Sequence, residues 1–335
     1  MLLDYLLQPN QLQQKRLLKK SQPVNLKSVT DCQLIALVGG GGKTTCAFTL
    51  AQQAKSKGLR VLITTSTKMY LPDPSLCDGF IDTSAITKEN RDNDSYDYHI
   101  ESADSGSLVL EQGVDPLSAS RLNDTDHSLN TDNSINLTMG QHALPSARQL
   151  HPTGLLIFAY HGLVNSCDPQ QKTKVNGLSK HEISSIKASG QFDIIFVEAD
   201  GARRLPIKAP SRHEPCIPSD VDIVIAVTGC EVISQPISAE LIHRWNEFTQ
   251  VTGCKAGDVM DQQILGRLIA HPDGMFKQVP ADCRRIWLIN KLDLTSNYDD
   301  IKSLSSDLLA RNGSLDGVCL ASMQSAAPIF DLQLR

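Results

Sequence analysis

Four consecutive glycines followed by a lysine and two threonines form the stretch of this sequence best suited to chemistry. The residues are Gly39, Gly40, Gly41, Gly42, Lys43, Thr44 and Thr45. Without Cβ atoms, the backbone amides of such a run can turn toward an anion, and a helix that begins at the lysine adds unpaired N–H donors and a partial positive charge. Lys43 would contact the β- and γ-phosphates of a nucleotide, and the Thr44 hydroxyl would bind Mg²⁺. The stretch therefore predicts a phosphate-binding loop.

The residues on either side of the glycines have the patterns of a strand and a helix. Residues 34–38 are all apolar, as in a buried strand, and residues 44–55 carry apolar side chains at helical spacing. The common G-x-x-x-x-G-K-[ST] spacing is not met, because Leu37 stands at its first glycine. The loop instead resembles the G-G-x-G-K-T-T form of signal-recognition GTPases, partition ATPases and metallocentre-maturation GTPases. Val38 stands where the partition ATPases carry a second lysine, so a lysine acting in trans is not supported.

Two carboxylates at the end of another apolar run are candidates for metal binding and catalysis. Residues 192–197 predict a strand covered on both faces, and the Glu-Ala-Asp-Gly sequence that follows contains Glu198 and Asp200. The Glu-x-x-Gly spacing matches the D-x-x-G element of GTPases, with Glu in place of Asp. We expect one or both carboxylates to hold Mg²⁺ together with Thr44. Lys43, Glu198 and Asp200 are the candidate catalytic residues.

A third polar group follows the apolar run at residues 285–289. It consists of Asn290, Lys291 and Asp293, in the N-K-x-D pattern by which GTPases select guanine. The aspartate would accept hydrogen bonds from N1–H and the 2-amino group of guanine, a pattern that adenine does not offer. The asparagine would face the O6 and N7 edge, and the lysine stem would cover the base. Residues 321–322 could supply the loop beside the base. This group favours GTP as the ligand, with ATP as the alternative.

Two further polar segments allow more than one interpretation. Residues 64–68 (TTSTK) follow a predicted strand and suit either phosphate or Mg²⁺ contacts or a simple capping loop. Residues 203–218 are basic and punctuated by prolines, which predicts an extended path without helix. That segment could be a switch or partner-contacting loop, or a solvated surface loop.

The rest of the pattern predicts the elements that position these groups. Further strands are expected at residues 59–64, 155–160, 222–227, 285–289 and 318–320, and further helices at residues 179–188, 238–248, 258–270 and 298–311. Ser179 and Glu182 have the spacing of a capping box. Alternating strands and helices predict an α/β fold of the P-loop NTPase type. Its sheet would be mostly parallel and doubly wound, with helices on both faces.

The sequence divides into a short N-terminal region, one large domain and an insertion. Residues 1–30 predict an amphipathic helix and a linker, and residues 31–335 predict the nucleotide-binding domain. Residues 84–150 are a low-complexity insertion dominated by Asp, Asn and Ser. Such a segment buries too little apolar surface to offset its ordering entropy, so we expect it to be disordered or weakly ordered. A loop of that length inside a domain is unusual, and part of it could fold.

The composition excludes several functional classes. The chain has 335 residues, 41% of them hydrophobic and 21% charged, with a formal net charge of -5. A sizeable core is therefore possible, and the charge balance gives no support for nucleic-acid binding. No apolar run approaches the roughly 20 residues that span a bilayer. The basic cluster near the N-terminus follows the apolar residues instead of preceding them, so we do not expect a signal peptide. With nine scattered cysteines and no C-x-x-C pair, we expect reduced thiols and a cytoplasmic location.

Several of these segments together resemble one protein family. The stretches GGGGKTT, LITTSTKM, VEADGARRLPIKAP, HEP and INKLD are similar to those of the YqeC-type selenium-dependent hydroxylase accessory proteins. The resemblance covers about residues 30–325 apart from the insertion, and the EADG-to-HEP stretch is its most specific part. It implies a P-loop nucleotide-binding protein linked to the maturation of selenium-dependent molybdenum hydroxylases. The implied partners are such a hydroxylase or its cofactor-insertion machinery.

Three hypotheses about function follow. The first is a Mg²⁺-dependent GTPase that hydrolyses nucleotide slowly during maturation of a metalloenzyme, with an ATP-binding maturation factor as its variant. The second is a small-molecule kinase that uses the same loop and takes its acceptor at residues 203–214. The third is a binding module in which nucleotide stabilises an interaction surface without hydrolysis.

Overall fold

A computed structural model describes residues 1–8, 32–85, 97–100, 110–112, 135–138, 154–164 and 172–335 of the chain. Within these residues the fold is built on one large sheet of nine strands, with helices on both faces. This arrangement confirms the predicted α/β fold with a mostly parallel, doubly wound sheet.

The large sheet has its glycine-loop strand at the centre. Its strands, in chain order, are β1 (Gln33–Gly39), β2 (Arg60–Thr65), β4 (Gly79–Asp82), β8 (Leu155–Tyr160), β11 (Ile194–Glu198), β13 (Ile223–Gly229), β15 (Arg284–Asn290), β16 (Gly317–Ala321) and β17 (Ile329–Leu334). Across the sheet their order is β17-β16-β15-β13-β1-β11-β2-β8-β4. All neighbours are parallel except β17, which is antiparallel to β16.

The continuous apolar run of β1 is explained by cover on both faces of the sheet. Leu34 and Ala36 pack into the hydrophobic cluster on one face, and Ile35 and Leu37 pack into the cluster on the other. Because successive strand side chains point to opposite faces, a strand buried on both sides needs apolar residues at every position.

Six helices complete the two outer layers in the described part of the chain. They are α1 (Leu2–Leu6), α2 (Lys43–Ser56), α3 (Lys180–Ser189), α4 (Trp245–Thr252), α5 (Gln262–Ala270) and α6 (Tyr298–Arg311). The apolar residues of α1 and α2 belong to one cluster, and those of α3 to α6 belong to the other. The predicted capping box begins α3: the Ser179 hydroxyl accepts from the Glu182 amide at 3.2 Å, and the Glu182 carboxylate accepts from the Ser179 amide at 2.7 Å.

Three small sheets lie outside the main one. They are formed by β3 (Met69–Tyr70), β10 (Lys174–Val175) and β9 (Leu163–Val164); by β12 (Ile207–Lys208) and β14 (Ile242–His243); and by β6 (Leu110–Gln112), β5 (Asp97–Ile100) and β7 (Ile135–Thr138). The third sheet lies wholly within the predicted insertion, where parts of the chain therefore form strands. The rest of residues 84–150, apart from Ser84 and Ala85, is outside the described residues, so the expectation of disorder there stays a prediction.

The helix predicted at residues 238–248 is wrong in its first half. Ile242 and His243 instead form β14, which pairs in parallel with Ile207 and Lys208. Arg244 then adopts a left-handed backbone conformation, with φ of 63°, so a helix cannot pass through it. The helix α4 begins at the next residue.

One further helix begins later than predicted, and one strand was not predicted. The helix predicted at residues 258–270 begins at Gln262, because the Asp261 carboxylate accepts from the Ile264 amide at 2.9 Å and caps it. The antiparallel edge strand β17 was not predicted, since its half-exposed residues lack the apolar run of the central strands.

The N-terminal helix is part of the core. Leu2 and Leu6 are fully buried, and the Arg284 guanidinium donates to the carbonyls of Tyr5, Leu6 and Gln8 at 2.9, 3.1 and 2.8 Å. These hydrogen bonds connect residues 5–8 to the start of β15. The linker predicted to follow them lies at residues 9–31, outside the described residues.

No helix among the described residues has the length and apolar character needed to cross a membrane. The eight cysteines of the described part of the chain are free thiols, and six of them are buried.

We predict that the insertion contributes little to folding of the main sheet. Replacing residues 88–148 by a bridge of about ten Gly and Ser residues should leave a soluble protein with one cooperative unfolding transition. Loop-closure entropy changes slowly with length, and the small sheet of the insertion pairs only with itself. Thermal unfolding followed by circular dichroism would test this. As the matched comparison, deletion of residues 1–8 should clearly lower the midpoint temperature of unfolding, because Leu2 and Leu6 are core residues.

Candidate functional site

The predicted site residues lie at the carboxyl ends of four adjacent strands. Pairing between β1 and β11 sets Leu37 beside Glu198, and pairing between β13 and β15 sets Gly229 beside Asn290. In a parallel sheet these ends meet at one edge, where ligands of open α/β folds bind. The glycine loop, the acidic pair and the N-K-x-D segment therefore surround one region.

The glycines of the loop are required by close packing against neighbouring backbone. A Cβ atom on Gly39 would lie 2.4 Å from the Val227 carbonyl oxygen, and one on Gly41 would lie 2.1 Å from the Gly229 nitrogen. Both residues also have left-handed φ values, 93° and 70°. Any side chain at these positions would meet backbone that has no room to move.

The loop amides divide into two groups. The Gly39 amide donates to Asp200 Oδ2 at 3.1 Å, and the Gly40 and Gly41 amides donate to the Val227 and Leu205 carbonyls at 2.9 and 3.0 Å. The first three amides of the loop are therefore used in hydrogen bonds to other described residues. The donors left to surround a phosphate are the next four, those of Gly42, Lys43, Thr44 and Thr45. In the described part of the chain these four donate to no other residue.

Lys43 begins α2 with its side chain almost fully buried, at 4% exposure. Its ammonium donates to the Gly39 carbonyl at 2.6 Å and lies 3.1 Å from Asp200 Oδ1 and 3.9 Å from Glu198 Oε1. Burial alone lowers the pKa of a lysine, but the two carboxylates outweigh it and raise the pKa of Lys43. The side chain is therefore charged and folded back over its own loop.

Glu198 and Thr44 face each other across the same space. The Thr44 hydroxyl donates to Glu198 Oε2 at 2.6 Å, and the Glu198 side chain is 13% exposed. Burial raises the pKa of Glu198, and the charge of Lys43 and the hydrogen bond from Thr44 partly offset that rise. A hydroxyl and a carboxylate that reach solvent beside unpaired amides suit a Mg²⁺ ion that takes its other ligands from phosphate and water.

Asp200 has a different environment from Glu198. It is 2% exposed and lies between two lysines, 3.1 Å from Lys43 Nζ and 3.2 Å from Lys208 Nζ. Both of its cations come from segments that contact the glycine loop. The sequence left Glu198 and Asp200 as equal candidates for the metal. In the structure, Glu198 has the less buried position beside Thr44, and Asp200 has the position of a buried structural anion.

The charged network continues beyond Asp200 into the basic segment at residues 203–218, for which the sequence analysis left two interpretations open. Lys208, 3% exposed, also donates to Glu214 Oε2 and to the Gly201 carbonyl, each at 2.7 Å, and Arg244 Nε lies 3.7 Å from the same Glu214 oxygen. Burial would raise the pKa of Glu214, but Lys208 brings it below its ordinary value. At Lys208 the interpretation of residues 203–218 as a solvated surface loop is wrong. A lone lysine between prolines gives no sequence signal of this burial.

The N-K-x-D segment is hydrogen-bonded to the glycine loop. Asn290, 4% exposed, donates to the Gly41 carbonyl at 2.8 Å and accepts from the Met323 amide at 3.0 Å. Asp293 is exposed, and its Oδ1 accepts from the Ser322 hydroxyl. Ser322, in the loop that the sequence analysis expected beside a base, thus contacts Asp293, and the following residue, Met323, contacts Asn290.

Lys291 and the hydroxyl-rich segment make contacts within the protein. The Lys291 ammonium pairs with Glu231, and the Lys291 backbone has a left-handed φ of 67°. The Thr64 and Thr65 hydroxyls donate to the Ala159 and Glu198 carbonyls at 2.8 and 2.9 Å. The hydroxyls of residues 64–65 therefore have structural hydrogen bonds, which favours the capping interpretation of that segment.

Among the described residues no group of three or more His, Cys, Asp or Glu side chains is arranged to hold a metal ion by itself. The residues that fit a Mg²⁺ ion are the hydroxyl of Thr44 and the carboxylate of Glu198, and they leave most of the coordination sphere to a ligand.

Comparison with known proteins identifies two similarities. A family model described as "YqeC protein" matches residues 35–129 and 152–246, more than half of the chain. Asn290, Lys291 and Asp293 lie outside the matched residues. The curated protein of Escherichia coli (strain K12) named "Uncharacterized protein YqeC" is 30% identical over 264 residues, which cover 79% of this chain and 78% of that protein. No solved structure matches.

We predict that the two carboxylates differ in their effects on stability. Asp200→Asn should lower the free energy of unfolding by about 3 kcal/mol, because it removes the counter-charge between two buried lysines. Glu198→Gln is the matched change two residues away and should cost less than about 1 kcal/mol, since Glu198 is partly exposed. Urea denaturation of both variants would measure the difference. Equal losses would contradict the distinction between a buried structural anion and an exposed ligand.

Proposed function

This chain belongs to the YqeC family, and from that premise we propose that it is a Mg²⁺-dependent nucleotide-binding protein that prefers GTP. The observation that supports this best is the arrangement around Lys43. A buried, charged lysine lies over a glycine loop, and four amides that have no partner among the described residues lie at the start of the helix that it begins. Such donors at a helix N-terminus suit the phosphates of a nucleotide.

The roles of the loop residues follow from their positions. The amides of Gly42, Lys43, Thr44 and Thr45 would hold the phosphate oxygens, and the Lys43 ammonium would turn from the Gly39 carbonyl toward the β- and γ-phosphates. Thr44 and Glu198 would hold Mg²⁺, which would supply positive charge to stabilise the phosphate oxygens. Asp200 would position Lys43 and the loop through its contacts with the Lys43 ammonium and the Gly39 amide.

The preference for GTP rests on the contacts of Asn290 and Asp293. Asn290 is fixed by one bond to the phosphate loop and another to Met323, so the base-reading segment and the phosphate loop have a defined relative position. Asp293 keeps one carboxylate oxygen beyond the one that accepts from Ser322. That oxygen is available for the N1–H and 2-amino donors of guanine.

The proposed cellular role comes from the resemblance to selenium-dependent hydroxylase accessory proteins. A nucleotide-binding protein of this kind would use slow GTP hydrolysis in maturing a molybdenum hydroxylase. Incubating the protein with radiolabelled GTP, with and without candidate small-molecule acceptors, would separate hydrolysis from phosphoryl transfer and from binding alone.

Replacing Lys43 tests phosphate binding. Lys43→Ala should weaken binding of a fluorescent GTP analogue at least tenfold, about 1.4 kcal/mol, because it removes the only buried ammonium that contacts the described glycine loop. Lys180→Ala, an exposed lysine at the start of α3, is the matched control and should bind like the unmutated protein. Unchanged affinity in a folded Lys43→Ala protein would end the assignment of the glycine loop as a phosphate site.

Replacing Asp293 tests the choice of base. With Asp293→Asn, the amide oxygen can still accept from Ser322, which turns the amide nitrogen toward the base as a donor. We therefore expect GTP affinity to fall by about 1–3 kcal/mol and xanthosine triphosphate, whose 2-oxo group accepts, to bind better than GTP.

Competition titrations with GTP, ATP and xanthosine triphosphate would measure this preference. Asp300→Asn, an exposed acid in the first turn of α6, serves as the control and should keep the unmutated order. Equal affinity of the unmutated protein for GTP and ATP would leave an ATP-binding maturation factor as the better proposal.

A further inference from the structure

We propose that a second pocket, at the N-terminus of α4, binds the phosphate group of a small ligand distinct from the nucleotide. The pocket is open to solvent and lies beyond Glu214 in the charged network described above. It is lined by Arg203, His243, Arg244, Trp245, Asn246 and Glu247. The inference goes beyond the proposed nucleotide site and uses none of its phosphate-binding residues.

The first element of the pocket is a set of unpaired backbone donors. The helix α4 has eight residues, and its N-cap, Arg244, provides no side-chain hydrogen bond to the first turn. The first amide with a helical partner is that of Phe248, which donates to the Arg244 carbonyl at 2.9 Å. Within the described residues, the amides of Trp245, Asn246 and Glu247 donate to no other group. An anion here would gain these donors and the positive end of the helix dipole.

The second, independent element is His243. His243 lines the pocket, and 8% of its surface is exposed to solvent. No residue in the described part of the chain forms a hydrogen bond or ion pair with its imidazole. Burial, followed by the charges of Lys208 and Arg244, lowers the pKa of His243. The ring is mostly buried, but its nitrogens are not among the fully buried polar atoms of the described residues, so they can donate an N–H to a ligand in the pocket.

The third element is a pair of guanidinium groups. Arg203 and Arg244 line the pocket from two different segments, and both are exposed. Among the described residues, the ion-pair partner of Arg244 is Glu214 at 3.7 Å, and the Glu214 carboxylate is already bound at 2.7 Å by Lys208. Glu247 is the opposing charge in the pocket. Two guanidiniums and three amides against one carboxylate favour a dianionic phosphate group.

The backbone is strained at both arginines. Arg203 has φ of 49° and Arg244 has φ of 63°, in the left-handed region that residues with side chains seldom adopt. Each such residue costs on the order of 1 kcal/mol or more and tends to occur where a site requires it.

The pocket adjoins the proposed nucleotide site through a short chain of contacts. The segment that carries Arg203 continues to Leu205, whose carbonyl accepts from the Gly41 amide of the glycine loop. Parallel pairing of β12 with β14 sets Lys208 beside His243. A phosphorylated ligand in this pocket would therefore lie on the same edge of the molecule as a nucleotide on the loop.

Titration calorimetry with inorganic phosphate tests the pocket in a background that removes the other anion site. In Lys43→Ala protein, phosphate should still bind at one site. Adding Arg203→Gln and Arg244→Gln should weaken that binding at least tenfold, since glutamine keeps a long polar side chain but removes the charge. Arg212→Gln, an exposed arginine of the same segment that does not line the pocket, should change it less than twofold.

The outcomes for the two sites are distinguishable. Absence of phosphate binding by Lys43→Ala protein, or equal binding after the arginine substitutions, would overturn the second pocket. Loss of all phosphate binding in the Arg203→Gln, Arg244→Gln protein with Lys43 intact would support the pocket and count against the glycine loop as an anion site.

A second measurement needs no substitution. Phosphate should slow phenylglyoxal modification of Arg203 and Arg244 in the unmutated protein, measured by peptide mass spectrometry, and leave Arg212 unaffected. Equal labelling of all three arginines with and without phosphate would also overturn the proposal.

Discussion

The buried carboxylate of Asp200 is the constraint on which the arrangement of the site depends. An ionised carboxylate removed from water is costly unless cations and hydrogen-bond donors surround it. Asp200 obtains Lys43 from the helix after the glycine loop, Lys208 from the segment after its own strand, and the Gly39 amide from the loop itself. Three segments that are distant in sequence are fixed by this one group.

Two lysines on one carboxylate also permit one of them to leave. In the proposed function Lys43 turns toward phosphates, which would leave Asp200 unpaired if it had no other partner. Lys208 remains at 3.2 Å and is itself held by Glu214 and the Gly201 carbonyl. The desolvation cost of Asp200 is therefore compensated before and after Lys43 moves. In the proposed function, this arrangement would let Lys43 act as a mobile ligand without destabilising the strand end that carries Asp200.

The sequence predicted most strands of the central sheet, because buried strands depend on local apolar patterns. Apolar runs marked every parallel strand except β4, a short edge strand, and the polar residues after β1, β11 and β15 lie along one edge. What it did not predict depends on pairing across distant segments. The strand Ile242–His243 exists because it pairs with Ile207–Lys208, and the burial of Lys208 follows from Asp200 and Glu214. Helical spacing at residues 238–248 carried no information about either.

The glycine run shows why a motif and a binding site need separate arguments. Gly39 and Gly41 would be required by the Val227 and Gly229 backbone even if no ligand ever bound, because a Cβ atom at either position would overlap that backbone. The run of four glycines is therefore explained by close packing as well as by ligand contact. A different feature points to an anion. It is the set of amides from Gly42 to Thr45, which have no partner among the described residues and lie beside a charged lysine that contacts Gly39, Glu198 and Asp200.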